Sequence, residues 1–383
     1  MIIERSIKNK LITGLKAGKV VIVYGARQVG KTTLVKQVAS ELYPDGNFLY
    51  LNGEDPYIND NLVGKSAVEL KAFIGDYPLV IIDEAQKVQD IGLTLKLLHD
   101  TYPSVQLLVT GSSSLSLANK TAEPLTGRSF RYKLYPFSLT ELANALSKSK
   151  VEARLEELLI YGAYPEVFLA ATVDKVRILS ELASNYLYKD ILEFEGVKDS
   201  DFVRDLLKAL AFQLGNEVSV NELANLLGVS KDKIKRYLDL LEKAFIIYRL
   251  RPLARRRRKE IVKNTKIYFY DLGIRNYLIS NFAEMDLRTD RGALWENFCI
   301  NERFKFYQTQ DITPNTYFWR NYYGAEVDFI EEWNGEIRGF EFKWRKKTFT
   351  KPKAFFEAYE NASIKLINRT KLFSLTQPYE KIP

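Results

Sequence analysis

Cysteine and histidine are almost absent from this sequence, which has one of each in 383 residues. The single cysteine, Cys299, excludes a disulfide framework, and the single histidine, His99, excludes a zinc site with several Cys or His ligands. We expect Cys299 to be a small buried apolar side chain. Long apolar runs are also lacking, and the first residues, MIIERSIKNK, mix acidic and basic side chains. The sequence therefore predicts a cytoplasmic protein without membrane contact.

The composition is that of a globular chain with large cores, since 46% of the residues are hydrophobic and 13% are aromatic. The length favours two or three domains. A formal net charge of +8 favours an anionic partner, although much of this excess is also what solvated surface lysines produce.

A strand followed by a glycine-bounded loop marks the first motif. The β-branched run Val20–Val23 leads into GARQVGKT, residues 25–32, with the spacing of a P-loop that opens a helix. In this motif Lys31 reaches the β and γ phosphates of a nucleotide, and Thr32 ligates magnesium. The predicted nucleotide-binding residues are Gly25, Ala26, Arg27, Gln28, Val29, Gly30, Lys31, Thr32 and Thr33.

A second apolar run, Leu79–Ile82, ends in two acids and resembles a Walker B element. In that role Asp83 holds the magnesium ion and Glu84 polarises the attacking water. The alternative is a strand followed by an acidic helix cap.

Two further positions are candidates for the same site. The strand Val105–Val109 ends before Thr110 and Ser112, which can sense the γ-phosphate or orient water, unless this is an ordinary Gly-Ser turn. Arg128 follows a glycine and precedes a strand, so it can stabilise the transferring phosphate in cis or from a neighbouring subunit. A plain surface arginine is the alternative.

The middle of the chain is predicted to be helical. Apolar spacings of three and four over Val151–Leu214 indicate a helical lid. After it, Ser219 and Ser230 can cap two helices joined by Gly-Val-Ser, and a strand follows the second helix, Lys231–Ala244. This order is typical of a winged helix-turn-helix.

Basic residues concentrate on this module. The outward face of its second helix carries Lys231, Lys233, Lys235 and Arg236, and the predicted wing contains Arg255–Arg258. Contiguous arginines suit phosphate contacts, so the sequence predicts nucleic-acid binding, with DNA favoured over RNA. A packing module with a solvated basic loop is the alternative.

The last segment predicts a helix, Gly292–Phe306, and three strands, Thr316–Arg320, Ala325–Glu332 and Glu336–Trp344. Asn334-Gly335 predicts a type I′ hairpin between the last two. If Trp333 pairs with Glu336, the register places Asp328 opposite Glu341 and Glu326 opposite Lys343.

Facing carboxylates repel, and a divalent cation between them would relieve the repulsion. We therefore predict metal ligation by Asp328 and Glu341, completed by Glu296, with Lys343 orienting a metal-bound hydroxide or balancing a phosphate. The spacing D-x(12)-E-x-K is that of PD-(D/E)XK nucleases. Alternating surface charge on an exposed strand is the alternative.

Taken together, the chain resembles prokaryotic AAA-superfamily ATP-binding proteins that join a P-loop core, a winged helix and a C-terminal uncharacterised domain of the PD-(D/E)XK nuclease-like class. The resemblance covers nearly the full length and implies ATP binding and hydrolysis; after Trp344 it leaves the end of the last domain undefined. It rests on GARQVGKTTL, LVIIDEAQ, LLVTGSSS, LTGR, YGAYPEV, KIYFYDLGIRN, GALWENF, FWRNYYGAEVDFI and FEFKW.

The predicted fold is an α/β P-loop core of the AAA type, residues 1–145, followed by a helical lid, 146–215, a winged helix, 216–270, and an α/β nuclease-like domain, 271–383. Two functions remain open. One is an ATPase that moves or gates a nucleic acid cut by the last domain; the other is a nucleotide-switched regulatory protein whose nuclease-like domain is inactive. ATP and Mg²⁺ are the predicted cofactors, and the oligomeric state is left open.

Overall fold

The computed structural model describes residues 2–111, 123–184, 199–253 and 264–377. The chain divides into two compact units, Met1–Phe137 with Lys243–Phe245, and Ser138–Glu242 with Ile246–Pro383. Within the four described ranges, no helix has the length and apolar character needed to cross a membrane.

The first unit is built on a parallel five-stranded sheet with the order β2-β3-β4-β1-β5. Its strands are β1 (Val20–Tyr24), β2 (Leu49–Asn52), β3 (Leu79–Asp83), β4 (Gln106–Gly111) and β5 (Ser129–Lys133). Its helices are α1 (Lys8–Lys16), α2 (Lys31–Leu42), α3 (Pro56–Leu62), α4 (Ala67–Ile74) and α5 (Ile91–Thr101).

The buried strands explain the apolar runs of the sequence. All five residues of β3 are buried, and Val80 and Ile82 pack in one apolar core with Ile91 and Leu95 of α5. A parallel sheet covered on both faces needs such continuous apolar strands. The expected α/β class with a parallel sheet is confirmed.

The second unit contains eleven α-helices within the described ranges. They are α6 (Leu139–Leu146), α7 (Lys148–Ala153), α8 (Leu155–Tyr161), α9 (Pro165–Leu169), α10 (Thr172–Leu182), α11 (Ser200–Phe212), α12 (Val220–Leu226), α13 (Lys231–Lys243), α14 (Leu272–Leu278), α15 (Arg291–Gln310) and α16 (Lys353–Ala358).

A seven-stranded sheet runs through this unit with the order β12-β11-β10-β9-β7-β8-β6. Its strands are β6 (Glu217–Val218), β7 (Ile247–Pro252), β8 (Thr265–Phe269), β9 (Asn315–Arg320), β10 (Glu326–Trp333), β11 (Glu336–Phe342) and β12 (Ala362–Ile367). The parallel pairing of β7 with β9 joins the β7–β8 hairpin to the C-terminal strands. The predicted wing strands and the predicted nuclease-like strands therefore share one sheet.

The two helices α12 and α13 follow the predicted pattern. The hydroxyl of Ser219 accepts the N–H of Glu222 at 3.4 Å, and that of Ser230 accepts the N–H of Lys233 at 3.2 Å. The expected apolar face of α13 is buried and contains Ile234, Tyr237, Leu238 and Leu241. The assignment of this module as a winged helix stays a prediction.

The hairpin at Asn334-Gly335 has the predicted geometry. Both residues have positive φ, 52° and 80°, as a type I′ turn requires, and Trp333 pairs with Glu336. On the other side of β10 the pairing with β9 shifts by one residue, which leaves Asp328 and Phe329 opposite Phe318 alone. Such a bulge re-aims a side chain, and here it lies at Asp328.

The YGAYPEV and YDLGIRN motifs are packed against each other in this unit. The buried carboxylate of Asp271 accepts the N–H groups of Ala163 at 2.8 Å and Ile274 at 3.2 Å, so it caps α14 and holds the loop after α8. A Cβ at Gly162, whose φ is 78°, would lie 2.1 Å from a carboxylate oxygen of Asp271. Only glycine fits there, and these motifs have a packing role.

Candidate functional site

The loop between β1 and α2 has the geometry of a P-loop. Gly30 adopts φ 94° immediately before α2 begins at Lys31, so the loop turns into the helix at a residue where a side chain would be strained. Lys31 is 5% exposed, and its ammonium group donates to the carbonyl oxygens of Gly25 at 3.1 Å and Ala26 at 2.9 Å. The side chain of Lys31 is thus folded back over the loop between β1 and α2.

Asp83, at the end of β3, accepts hydrogen bonds from three hydroxyl groups. Thr32 donates to Oδ2 at 2.7 Å, Tyr50 donates to the same oxygen at 2.5 Å, and Thr110 donates to Oδ1. Burial alone would raise the pKa of Asp83, but these hydrogen bonds and the charge of Lys31 hold it below its usual value. The carboxylate is therefore ionised at neutral pH.

Glu84 follows in a left-handed conformation with φ 50°. Its N–H donates to the hydroxyl of Thr110 at 3.1 Å, and its Oε2 accepts from the side-chain amide of Gln86 at 2.5 Å. Thr110 therefore connects Asp83 to Glu84. The structure brings Lys31, Thr32, Asp83, Glu84 and Thr110 to one edge of the sheet, as the sequence predicts.

Arg128 lies elsewhere in the first unit. Its carbonyl accepts the N–H of Val20, the first residue of β1, whereas the P-loop follows the last residue of β1. The first and last residues of β1 are four steps apart, and at about 3.3 Å per residue this separates the two ends of the strand by about 13 Å. The Arg128 side chain also pairs with Asp100 at 2.7 Å. The structure therefore does not support a contact of Arg128 with phosphates bound to its own chain, and a contact with those of a neighbouring subunit stays a prediction. Ser112 lies outside the described residues.

The C-terminal carboxylates lie at one end of the seven-stranded sheet. Asp328 is buried, and its Oδ2 accepts the N–H of Phe342 at 2.7 Å and the ammonium of Lys343 at 3.4 Å. Lys343 also contacts Oε1 of Glu341 at 2.6 Å. The predicted grouping of Asp328, Glu341 and Lys343 is therefore present, and Lys343 lies between the two acids.

A second lysine occupies the same end of the sheet. Lys266 of β8 contacts Oε1 of Glu296 at 3.2 Å and also pairs with Glu326, and the hydroxyl of Tyr268 donates to Glu296. Glu326 of β10 is thus an ion-pair partner of Lys266, and its predicted register position opposite Lys343 stays a prediction. We call Glu296, Glu326, Asp328 and Glu341 the acid cluster.

The acid cluster is electrostatically strained. Burial raises the pKa of Glu296 to about 7, with Lys266 lowering it and Asp328 raising it further. Burial likewise raises the pKa of Asp328 and of Glu341, and Asp328 adds to the rise at Glu341. Oε2 of Glu341 is buried without a hydrogen-bond partner. Among the residues that the structure describes, no three His, Cys, Asp or Glu side chains are arranged as ligands of one metal ion.

The basic surface of α13 is partly as expected. Lys231, Lys235 and Arg236 are exposed. Lys233 is held by Asp199 at 2.8 Å and lies over the ring of Phe202 at 4.1 Å, so it is committed to packing against α11. The predicted wing residues Arg255–Arg258 lie outside the described residues.

Sequence reasoning missed two residues that complete these sites. Tyr50 pairs with Ile81 in the parallel sheet, which puts it on the same face as Asp83. Lys266 reaches the acid cluster only because β7 and β9 pair. A polar residue near the carboxyl end of a strand was the available signal for Tyr50, whereas no local pattern marks Lys266. Cys299 is buried, as expected.

Three family matches cover most of the chain. Residues 17–143 match an AAA domain, residues 152–285 match a domain of unknown function (DUF8612), and residues 291–378 match another domain of unknown function (DUF4143). The first match supports an ATP-binding ATPase of the AAA superfamily. The acid cluster takes Lys266 from the segment of the second match and its acids from the third.

The chain is also similar to proteins from bacteria and archaea. An uncharacterised protein of Mycobacterium tuberculosis is 29% identical over 349 residues, 90% of this chain and 74% of that protein. One of Methanocaldococcus jannaschii is 25% identical over 353 residues, 86% and 75% of the two chains.

Solved structures match less closely. The DNA clamp loader delta protein of Bacillus subtilis matches with 13% identity and a TM-score of 0.28, over 79% of this chain and 99% of that one. The Pif1 helicase of Candida albicans has the same identity and TM-score over 48% of each chain. These TM-scores are too low to assign a fold or a function.

Proposed function

We propose that this protein binds ATP with Mg²⁺ at the P-loop of its first unit and hydrolyses the terminal phosphate. The observation that carries the proposal is that the hydroxyls of Thr32 and Thr110 donate to Asp83 at the carboxyl ends of the parallel strands, next to the P-loop that contains Lys31. The AAA domain match over residues 17–143 supports it.

The residues fit the cofactor by their chemistry. A hydroxyl and an ionised carboxylate 2.7 Å apart, Thr32 and Asp83, are the hard oxygen ligands that magnesium prefers. When bound, magnesium would neutralise the negative charge that develops on the phosphate during phosphoryl transfer. Gly25 to Thr33 would surround the phosphates with backbone N–H groups, and Lys31 would turn from the loop carbonyls to the β and γ phosphates.

Glu84 is the proposed base for the attacking water. The hydrogen bond from its N–H to Thr110 fixes its backbone next to Asp83, and the amide of Gln86 orients its carboxylate. The hydroxyl of Thr110 would thereby connect the proposed metal ligand, Asp83, to the backbone of the proposed base, Glu84. The side chain of Glu84 is half-buried, which leaves it accessible to water.

The test separates binding from turnover. Lys31→Ala should weaken ATP binding by about 100-fold or more, because it removes the charge facing the phosphates, whereas Glu84→Gln should keep binding and stop hydrolysis. Lys96→Ala, at an exposed lysine of α5, is the matched control and should change neither. Hydrolysis at the parent rate by Glu84→Gln would refute the assignment of the base.

Nucleic-acid contact by the second unit is a further part of the proposal. It is favoured by the exposed Lys231, Lys235 and Arg236 on one helix, and by the basic Arg255–Arg258 run. Alanine at those four arginines should weaken DNA binding equally for all sequences and flatten its dependence on salt. An unchanged salt slope would remove the run from the interface.

A further inference from the structure

Lys266 is the feature of the second unit that the predicted nuclease site does not explain. Its side chain is only 4% exposed, and its ammonium group lies between carboxylates from two elements, Glu296 of α15 and Glu326 of β10. The ring of Phe318, opposite the bulge at Asp328, lies 5.3 Å from the ammonium. A buried ammonium is stable only when such partners surround it.

The two lysines divide the acid cluster between them. Lys266 spans Glu296 and Glu326, and Lys343 spans Asp328 and Glu341. Each ammonium thus links carboxylates from two elements, which is also what a divalent cation does in a two-carboxylate metal site. Four carboxylates face two ammonium groups, so negative charge is in excess in the cluster, in agreement with the raised pKa values of Glu296, Asp328 and Glu341.

We propose that Lys266 is the resident cation of the acid cluster, so that an ammonium group of the protein takes the place that a divalent metal ion holds in a metal-dependent nuclease. The cluster then joins β8, α15 and β10 in the absence of metal. The C-terminal strands keep the residue pattern of a nuclease, but their acids serve a structural role.

Geometry explains why Lys266 and a metal ion exclude each other. Glu296 Oε1 accepts from both Lys266 and Tyr268, so the oxygen that would ligate a metal already has two donors. A divalent ion beside Lys266 would also place two like charges within contact distance of the same carboxylates. Removal of Lys266 leaves the charges of Glu296 and Glu326 uncompensated beside Asp328, and this excess negative charge would attract a cation.

The experiment titrates Mn²⁺ into the nucleotide-free full chain at about pH 8, where the carboxylates are least protonated. All four tryptophans lie between residues 295 and 344, so the melting temperature followed by tryptophan fluorescence reports the second unit. The wild type should show no Mn²⁺ effect that depends on Asp328. Lys266→Met should gain a single Mn²⁺ site and a rise of several degrees in melting temperature, and Lys266→Met with Asp328→Asn should lose both.

Lys266→Arg is the matched control, since it keeps a cation and should gain no site. If the wild type binds Mn²⁺ at millimolar concentration and Asp328→Asn abolishes that binding, the proposal fails and the predicted metal ligation by Asp328 and Glu341 is supported instead. A folded Lys266→Met that binds no Mn²⁺ would also overturn it. Should Lys266→Met fail to fold, the wild-type titration alone decides.

Discussion

Each of the two candidate sites has a buried carboxylate centre, and the two centres are satisfied in different ways. Asp83 in the first unit accepts from three neutral hydroxyl groups, and its pKa is lowered. The acid cluster of the second unit is held by two ammonium groups, and the pKa values of Glu296, Asp328 and Glu341 are raised. Hydroxyl donors keep a negative charge in place without cancelling it, so the first centre suits a metal ion and the second already contains its cations.

The lysines of the two centres should differ most in their effect on stability. Lys266→Met leaves two buried carboxylates without their cation and should lower the free energy of unfolding of the second unit by about 3–5 kcal/mol. Lys31→Met removes a donor to backbone carbonyls of the first unit and should leave the tryptophan-reported transition unchanged. Urea unfolding followed by tryptophan fluorescence measures both; equal and small effects would mean that Lys266 is solvated and the comparison does not hold.

The pH dependence of stability should have opposite signs at the two centres, because the pKa of Asp83 is lowered and that of Glu296 is raised. The folded pKa of Glu296, about 7, exceeds its ordinary value, so between about pH 4.5 and 7 the folded state keeps a proton that the unfolded state releases. Stability contributed at this site is therefore present below the ordinary pKa and falls as the pH rises through 7. Lys266, Tyr268, Glu326 and Asp328 surround the carboxylate of Glu296 and, together with burial, act on its pKa.

Glu296→Gln should flatten this dependence. Between about pH 5 and 8 we expect the wild type to lose on the order of 2 kcal/mol relative to the variant, since one pKa unit corresponds to about 1.4 kcal/mol. The measurement is the urea midpoint of tryptophan fluorescence at several pH values. If the urea midpoints of the wild type and Glu296→Gln change with pH in parallel, the titrating group is not Glu296.

The same substitution at the two aspartates sharpens the contrast. Asp83→Asn should remove the gain in ATP affinity that Mg²⁺ provides, by about tenfold or more, because it removes a charged metal ligand. Asp328→Asn should change the stability of the metal-free second unit by only some tenths of a kcal/mol, with a gain expected, because one of several facing negative charges disappears. A loss of several kcal/mol in Asp328→Asn would show that the charge of Asp328 is needed for the fold.

Local signals account for most of what the sequence predicts correctly. The P-loop, the strand ending in Asp83 and the register from Asn334-Gly335 each depend on residues close together in the chain. Arg128 was assigned from its neighbours alone, yet the parallel register beside Val20 places it at the other edge of the sheet. Which end of the sheet Arg128 occupies depends on the direction in which β5 runs beside β1, and adjacent residues do not encode that direction.

Long-range pairing accounts for what was missed. β12 pairs with β11 in parallel after the helix α16, and its short sequence, ASIKLI, carries no turn signal that would mark it. Lys266 enters the acid cluster through the pairing of β7 with β9, which are more than sixty residues apart in the chain. Contacts of this kind depend on which strands meet, and composition or periodicity within one strand does not specify that.

Tyr50 offers the smallest and most selective test of the comparison. Its hydroxyl donates to the same oxygen of Asp83 as Thr32 does, and burial together with Asp83 raises the pKa of Tyr50, so it stays a donor at neutral pH. Tyr50→Phe keeps the ring and removes one of the three donors. We expect a cost of about 1 kcal/mol, or about fivefold, in Mg²⁺-dependent ATP hydrolysis, because Asp83 is less firmly oriented.

ATP binding without Mg²⁺ should be unchanged in Tyr50→Phe, since Asp83 faces the metal ion and not the phosphates. The measurement is a Mg²⁺ titration of hydrolysis at saturating ATP, together with ATP binding in the presence of a chelator. Tyr57→Phe, at a side chain that is 66% exposed, is the matched control. If Tyr50→Phe lowers stability but leaves the Mg²⁺ titration at its parent midpoint and maximum rate, Tyr50 only packs against Asp83, and two hydroxyl groups suffice to prepare the first centre for its metal ion.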